Sequence, residues 1–240
     1  MGNISTRTEQ VSADGGVFDA YLALPEARRG PGILLLQEIF GVNEFIRAKA
    51  EDLASLGYVV LAPDVFWRVE RNFSVPHDEA SLQAAFEVMG RFAEEVDLET
   101  KAADLVAAFE HLAALPEVSG HKSAVMGYCL GGFLAYLTAA RATPDACVSY
   151  YGSGIADLTG LASDIACPVL FHFGGQDPYI PAEQVERIEE AFAGRDDVTF
   201  RVEPEAGHAF ENLLAPMFSN PEAAGRSYAA TKAFLAEKLF

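Results

Sequence analysis

Basic residues are scarce: 17 lysines and arginines stand against 35 aspartates and glutamates in 240 residues, a formal charge of −18. A nucleic-acid backbone or an anionic membrane surface would be repelled by such a chain, so neither is an expected partner. No apolar run reaches the roughly 20 residues that a spanning helix needs. The longest, such as 31–36 and 58–62, have strand length. Cysteine occurs three times, at 129, 147 and 167, an odd number without Cys-x-x-Cys spacing, which argues against a disulfide framework and a zinc site. A charged-then-apolar leader is missing, so a cytoplasmic location is expected. Repeats, low-complexity tracts and Ser/Gly linkers are also missing, and residues 1–240 are expected to form a single domain.

Half of the residues are hydrophobic and 11% are aromatic, as in an ordinary globular core. The first 24 residues alternate loosely around Ala13-Asp14-Gly15-Gly16, a turn sequence, and predict an antiparallel hairpin at a sheet edge. Beyond it, short apolar runs at 32–37, 58–63, 122–128, 147–151, 168–173 and 198–202 alternate with segments of helical spacing at 43–56, 78–94, 97–114, 130–141, 181–193 and 222–239. This rhythm predicts an α/β fold: a mostly parallel central sheet with helices on both faces. The stretch 67–79 mixes aromatic, charged and proline residues and is a candidate lid or substrate loop.

Gly127-Tyr128-Cys129-Leu130-Gly131-Gly132 joins the apolar run ending at Met126 to a helix-like segment. Gly-x-nucleophile-x-Gly between a strand and a helix is the pattern of a nucleophile elbow, where Cβ atoms two residues to either side would collide with neighbouring backbone. A cysteine at a helix N-terminus meets unpaired N–H groups and the positive end of the dipole, both of which favour thiolate. Cys147 and Cys167 carry no such context and are read as small buried hydrophobes. A thiolate nucleophile needs a base, and the base needs an orienting carboxylate. Asp177, after the run Val169–Phe173, and His208, after Thr199–Val202, follow Cys129 in the order nucleophile, acid, histidine of the α/β-hydrolase fold. The other histidines, His77, His111, His121 and His172, are read as structural. The turn Gln37-Glu38-Ile39-Phe40-Gly41 follows the first core strand, where this fold supplies one oxyanion N–H. The candidate pair of donors is therefore Ile39 and Leu130. Glu38 would oppose a developing negative charge there unless it moved or exchanged a proton with the thiol.

Residues 37–43, 127–132, Gly174-Gly175-Gln176-Asp177 and Gly207-His208, with Ala62-Pro63-Asp64 and Tyr150-Tyr151-Gly152, resemble the dienelactone hydrolase family of single-domain α/β hydrolases with a cysteine nucleophile. The resemblance implies a triad of Cys129, His208 and Asp177, with Glu38 holding the resting thiol until substrate displaces it. It also implies two arginines that grip a substrate carboxylate, and here the chain departs: Leu82 and Asn212 stand at those positions. Losing two charge-assisted contacts should weaken recognition of a carboxylate-bearing dienelactone. Arg68, Arg71 and Arg91 are unaligned candidates to replace them.

Leu82, Phe86 and Met89 share one helical face, which either walls the mouth of the site or packs on the sheet. Phe40, Phe66, Trp67, Tyr151, Tyr179 and Phe210 are further candidates for the substrate pocket. The expected activity is hydrolysis of a neutral or apolar carboxylic ester or lactone through a thioester, with a small molecule as partner, no cofactor or metal, and a monomer or homodimer as the working state. The alternatives are a dienelactone hydrolase acting on a carboxylate-bearing enol lactone, and a ligand-binding protein without turnover.

Overall fold

The computed structural model describes residues 3–240, which group into two compact units that meet in the sequence between Ala124 and Val125, inside the fifth strand.

In the first unit, β1 (Ser5–Ala13) and β2 (Gly16–Leu24) form the predicted hairpin, antiparallel from Ser5↔Leu24 to Ala13↔Gly16. Gly15 supplies the turn's positive φ of 84°. β2 pairs antiparallel with β4 (Val59–Pro63), and β4 pairs parallel with β3 (Gly32–Leu36), in the order β1-β2-β4-β3. All five residues of β3 and of β4 are buried, which is why they read as unbroken apolar runs, whereas edge strand β1 is largely exposed. Three helices follow: α1 (Glu44–Ser55), α2 (Glu79–Glu95) and α3 (Leu98–Ala114). Their N-cap residues Asn43, Asp78 and Asp97 accept from the backbone N–H three positions on. After β4, Asp64 accepts from the N–H groups of Phe66 (3.1 Å) and Asn72 (2.6 Å), and burial pushes its carboxyl up to about 6.

The segment 67–79 is tied to its surroundings rather than detached from them. Ser74 bridges to Gly41, Val75 N–H donates to Phe40 O (3.1 Å), and Trp67 is buried, stacked on Phe18 with Nε1 donating to Asp104 (2.9 Å).

The second unit holds β5 (Ser123–Tyr128), β6 (Ala146–Tyr150), β7 (Val169–Gly174) and β8 (Val198–Glu203) in that order, with β6, β7 and β8 parallel. The unit also holds helices α4 (Leu130–Arg141), α5 (Ala182–Ala191) and α6 (Pro221–Leu239), and between β6 and β7 two 3₁₀ turns at 155–157 and 159–164, which the apolar pattern did not announce. Parallel strands deliver their carboxyl ends to one side, and the segments after β7 and β8 carry Asp177 and His208. Cys129, directly after β5, donates its N–H to Tyr150 O at the end of β6 (3.0 Å), which sets the ends of these two strands side by side. The sheet is mixed and mostly parallel with an antiparallel N-terminal hairpin, the expected α/β-hydrolase architecture. Among the described residues, no helix is long and apolar enough to cross a membrane.

Candidate active site

The elbow after β5 has the strain its glycines foretell. Cys129 sits at φ 54°, ψ −117°, a region that L residues rarely occupy. A Cβ on Gly127 would lie 2.0 Å from Gly131 O, and one on Gly132 would lie 2.4 Å from Tyr150 O. Only hydrogen fits at either place, so backbone on both sides closes around the cysteine and aims its sulfur outward. Helix α4 begins at the next residue, Leu130, which puts the sulfur at the positive end of a twelve-residue helix.

His208 Nε2 lies 3.0 Å from Cys129 Sγ, and His208 Nδ1 lies 2.7 Å from Asp177 Oδ2. The second carboxylate oxygen, Oδ1, accepts the N–H of Tyr179 (2.9 Å), so the acid is held at both oxygens and its side chain is fully buried. The loops that carry acid and base are stitched together by Gly175 N–H to Glu203 O (2.8 Å) and Gln176 N–H to Ala206 O (2.9 Å). Burial alone would drive the proton off His208. The negative sulfur and the hydrogen bonds to Asp177 and Cys129 outweigh it and raise the imidazole to about 11. The imidazole thus presents Nε2 to the sulfur and Nδ1 to the acid.

Tyr151 and Tyr179 flank this imidazole, with ring centroids 5.2 Å and 5.1 Å away. Tyr151 is fully buried at φ 37° and packs against buried Phe210 (5.4 Å), whereas Tyr179 is 56% exposed. Cys147 and Cys167 are buried and burial pushes both thiols up, Cys167 to about 11, in keeping with their reading as small hydrophobes. His172 is a core residue as well: burial lowers it to about 3, and Nε2 meets Thr231 Oγ1 at 2.9 Å.

Glu38, Ile39 and Phe40 belong to the first unit, in the buried turn after β3. Glu38 Oε2 lies 2.6 Å from His77 Nε2, with both side chains almost fully buried. This partnership escaped the sequence reading, which took His77 for an ordinary loop residue. Thirty-nine positions separate the two residues, and no local pattern marks such a pair.

The structure places the other pocket candidates as follows. Phe66 and Trp67 are core residues: Phe66 packs on Phe73 and Phe92 at 6.1 and 5.2 Å, and Trp67 packs as described above. Helix α2 buries Ala85, Val88 and Phe92, not the stripe of Leu82, Phe86 and Met89; Phe86 is 43% exposed and the other two are half-buried. The stripe therefore does not pack the helix on the sheet, because the buried face lies one position further round. Asn212 is fully buried and folds the loop after His208 by accepting Leu214 N–H (3.1 Å). The three candidate arginines are engaged. Arg68 forks onto Asp104 at 2.7 and 2.8 Å, Arg71 donates to Val17 O (2.8 Å), and Arg91 reaches Glu70, Glu95 and Val69 O.

Residues 18–239 match the family model described as the dienelactone hydrolase family. The chain is 39% identical over 228 residues to a carboxymethylenebutenolidase of a Pseudomonas species, covering 93% of both chains. It is 35% identical over 219 residues to carboxymethylenebutenolidase 1 of Cupriavidus pinatubonensis, covering 90% of both. Among solved structures, a dienelactone hydrolase-like promiscuous phosphotriesterase from metagenomic libraries superposes with a TM-score of 0.82 at 26% identity, over the full length of both chains.

Proposed function

Because the chain belongs to the dienelactone hydrolase family, whose members are hydrolases of lactones and esters, we propose that it cleaves a neutral or apolar carboxylic ester or lactone with Cys129 as nucleophile. The observation that carries the reading is the 3.0 Å approach of His208 Nε2 to Cys129 Sγ, backed by Asp177. The thiolate attacks the carbonyl carbon, and the oxyanion falls to the Leu130 N–H at the start of α4, with Ile39 assigned the second donor by its place in the sequence pattern. Imidazolium His208 protonates the leaving alkoxide as the carbon–oxygen bond breaks, leaving a thioester. Neutral His208 then takes a proton from water, hydroxide adds to the thioester carbonyl, and the carboxylic acid leaves as the thiolate returns. Asp177 keeps the imidazole oriented throughout. Glu38 is assigned proton handling at the resting thiol on the strength of the resemblance.

The preference for an uncharged substrate rests on side-chain chemistry. Leu82 and Asn212 stand where arginines were expected, and Arg68, Arg71 and Arg91 already hold carboxylates or carbonyl oxygens. The names of the relatives favour the other reading, a carboxylate-bearing enol lactone, and substrate competition decides. p-Nitrophenyl acetate and butyrate are expected to turn over with higher kcat/KM than a dienelactone; faster lactone turnover would reject the preference. Arg68→Met serves as a control. It is expected to leave lactone and ester turnover unchanged and to cost about 1–3 kcal/mol of stability through the lost Asp104 pair. A large drop in lactone turnover in a folded variant would make Arg68 a substrate ligand.

The raised imidazole also sets the pH behaviour. His208 ordinarily titrates near 6.5 and is lifted to about 11, so its contribution to stability is complete below pH 6.5 and fades as the pH rises toward 11. Ester kcat/KM is accordingly expected to hold level between pH 7 and 9 rather than fall with a midpoint near 6.5. Asp177→Asn should bring the alkaline fall to lower pH. A wild-type profile that fell through pH 7 would contradict the raised imidazole.

A further inference from the structure

Asn43 caps α1 and spends its amide on three partners in the first unit. Oδ1 accepts Ile46 N–H (3.4 Å), while Nδ2 donates to Val75 O (3.0 Å) and faces His77 Nδ1 at 3.1 Å. The amide has one sensible orientation. Turned over, it would set Oδ1 against the Val75 carbonyl and Nδ2 against the Ile46 N–H, losing both bonds. Nδ2 is only a donor, so His77 Nδ1 must accept. The ring proton is then on Nε2, which lies 2.6 Å from Glu38 Oε2. Phe40 and Phe45 pack on the imidazole with ring centroids 4.2 and 5.8 Å away and fix its plane.

We infer that His77 is a positioning residue for Glu38: Asn43 fixes it as the neutral Nε2–H tautomer, and that N–H holds one carboxylate oxygen of Glu38 in place. The inference rests on the proposed function, in which Glu38 handles a proton at the nucleophile, and explains how that buried carboxylate is oriented within the first unit. An arginine or imidazolium in the same place would pair off the charge and leave a poorer proton acceptor. A neutral N–H donor orients the carboxylate without adding a charge of its own. His77 thus stands to Glu38 somewhat as Asp177 stands to His208, holding a proton-carrying group by one hydrogen bond while a further residue holds it in turn.

The test combines spectroscopy and kinetics on the full chain. With ¹⁵N-labelled histidine at pH 7, and His77→Gln to assign the signal, the His77 ring is expected to show a protonated Nε2 and an unprotonated Nδ1. An Nδ1–H tautomer or an imidazolium would overturn the inference. His77→Phe keeps a flat ring between Phe40 and Phe45 but removes the donor. It should lower kcat for p-nitrophenyl acetate about tenfold with little change in KM, and alter the iodoacetamide alkylation rate of Cys129 by a similar factor, as expected for a lost charge-assisted hydrogen bond. His77→Gln, which presents an N–H at similar reach, should recover most of both and covers the case in which the phenylalanine variant does not fold. In a Glu38→Gln background the His77 substitutions should change neither quantity further. Additive effects there, or unchanged kcat and alkylation in a folded His77→Phe variant, would overturn the assignment. Cys129→Ala run alongside separates the two readings: lost turnover there with silent His77 variants sinks only the His77 inference, and retained turnover sinks the nucleophile.

Discussion

Cys129→Ala is expected to lower kcat/KM on p-nitrophenyl acetate by at least about 10³-fold, to the residue of activity that binding and oxyanion stabilisation sustain alone. The size follows from the role: with the sulfur gone, no covalent intermediate forms, and His208 and Asp177 have nothing to activate except water. His208→Gln should fall comparably, and the double variant should be no worse than the worse single one, because groups that act as a unit are not additive. Iodoacetamide should label Cys129 in the wild-type chain and spare Cys147 and Cys167, which are buried and hold their protons above the usual thiol range. Turnover that survives the alanine, or labelling at the buried cysteines first, would remove Cys129 from the mechanism.

The second large effect concerns folding. Gly132→Ala places a Cβ 2.4 Å from Tyr150 O and 3.0 Å from Gly152 Cα, both backbone atoms that cannot swing aside. Either α4 moves off β6 or the elbow opens, and a cost of about 4 kcal/mol or more is expected. For a chain of this length that corresponds to a fall in Tm of about 8–16 °C, measurable by calorimetry, and activity should drop further because the sulfur no longer faces the imidazole. Gly90→Ala supplies the contrast. It lies inside α2 with no atom within 4 Å of the added carbon, and it should gain about 0.5–1 kcal/mol from the higher helix propensity of alanine. A Gly132→Ala variant as stable as wild type would mean that the close approach of α4 and β6 relaxes without cost.

Much of this chain was legible before any coordinates. The runs at 32–37 and 58–63 became β3 and β4 with ends shifted by no more than a residue, and the segment 130–141 became α4 as bounded. The elbow was legible because steric demand is local: two glycines around one cysteine state where backbone crowds. Asp177 and His208 were legible because each follows a strand, and parallel strands bring their ends together whatever lies between. Other features were opaque for the opposite reason. Leu82, Phe86 and Met89 form a regular apolar stripe, yet the helix turns a neighbouring stripe inward, since an offset of one residue depends on what packs beneath it. Trp67 and Arg68 read as loop residues available to a ligand until Asp104, thirty-six and more positions away, claimed both.

What the amino-acid order determined by itself is the chemistry available: a strand–turn–helix cysteine, an acid and a histidine in hydrolase order, and an α/β alternation. Periodicity, turn stereochemistry and chain order suffice for these, because each is written in neighbouring residues or in the sequence of elements. Only the tertiary structure decided which polar groups meet: His208 to sulfur at 3.0 Å, Asn43 to His77 to Glu38, three arginines already paired. Such meetings depend on distances between segments far apart in the chain, and those distances are set by packing rather than by any local preference.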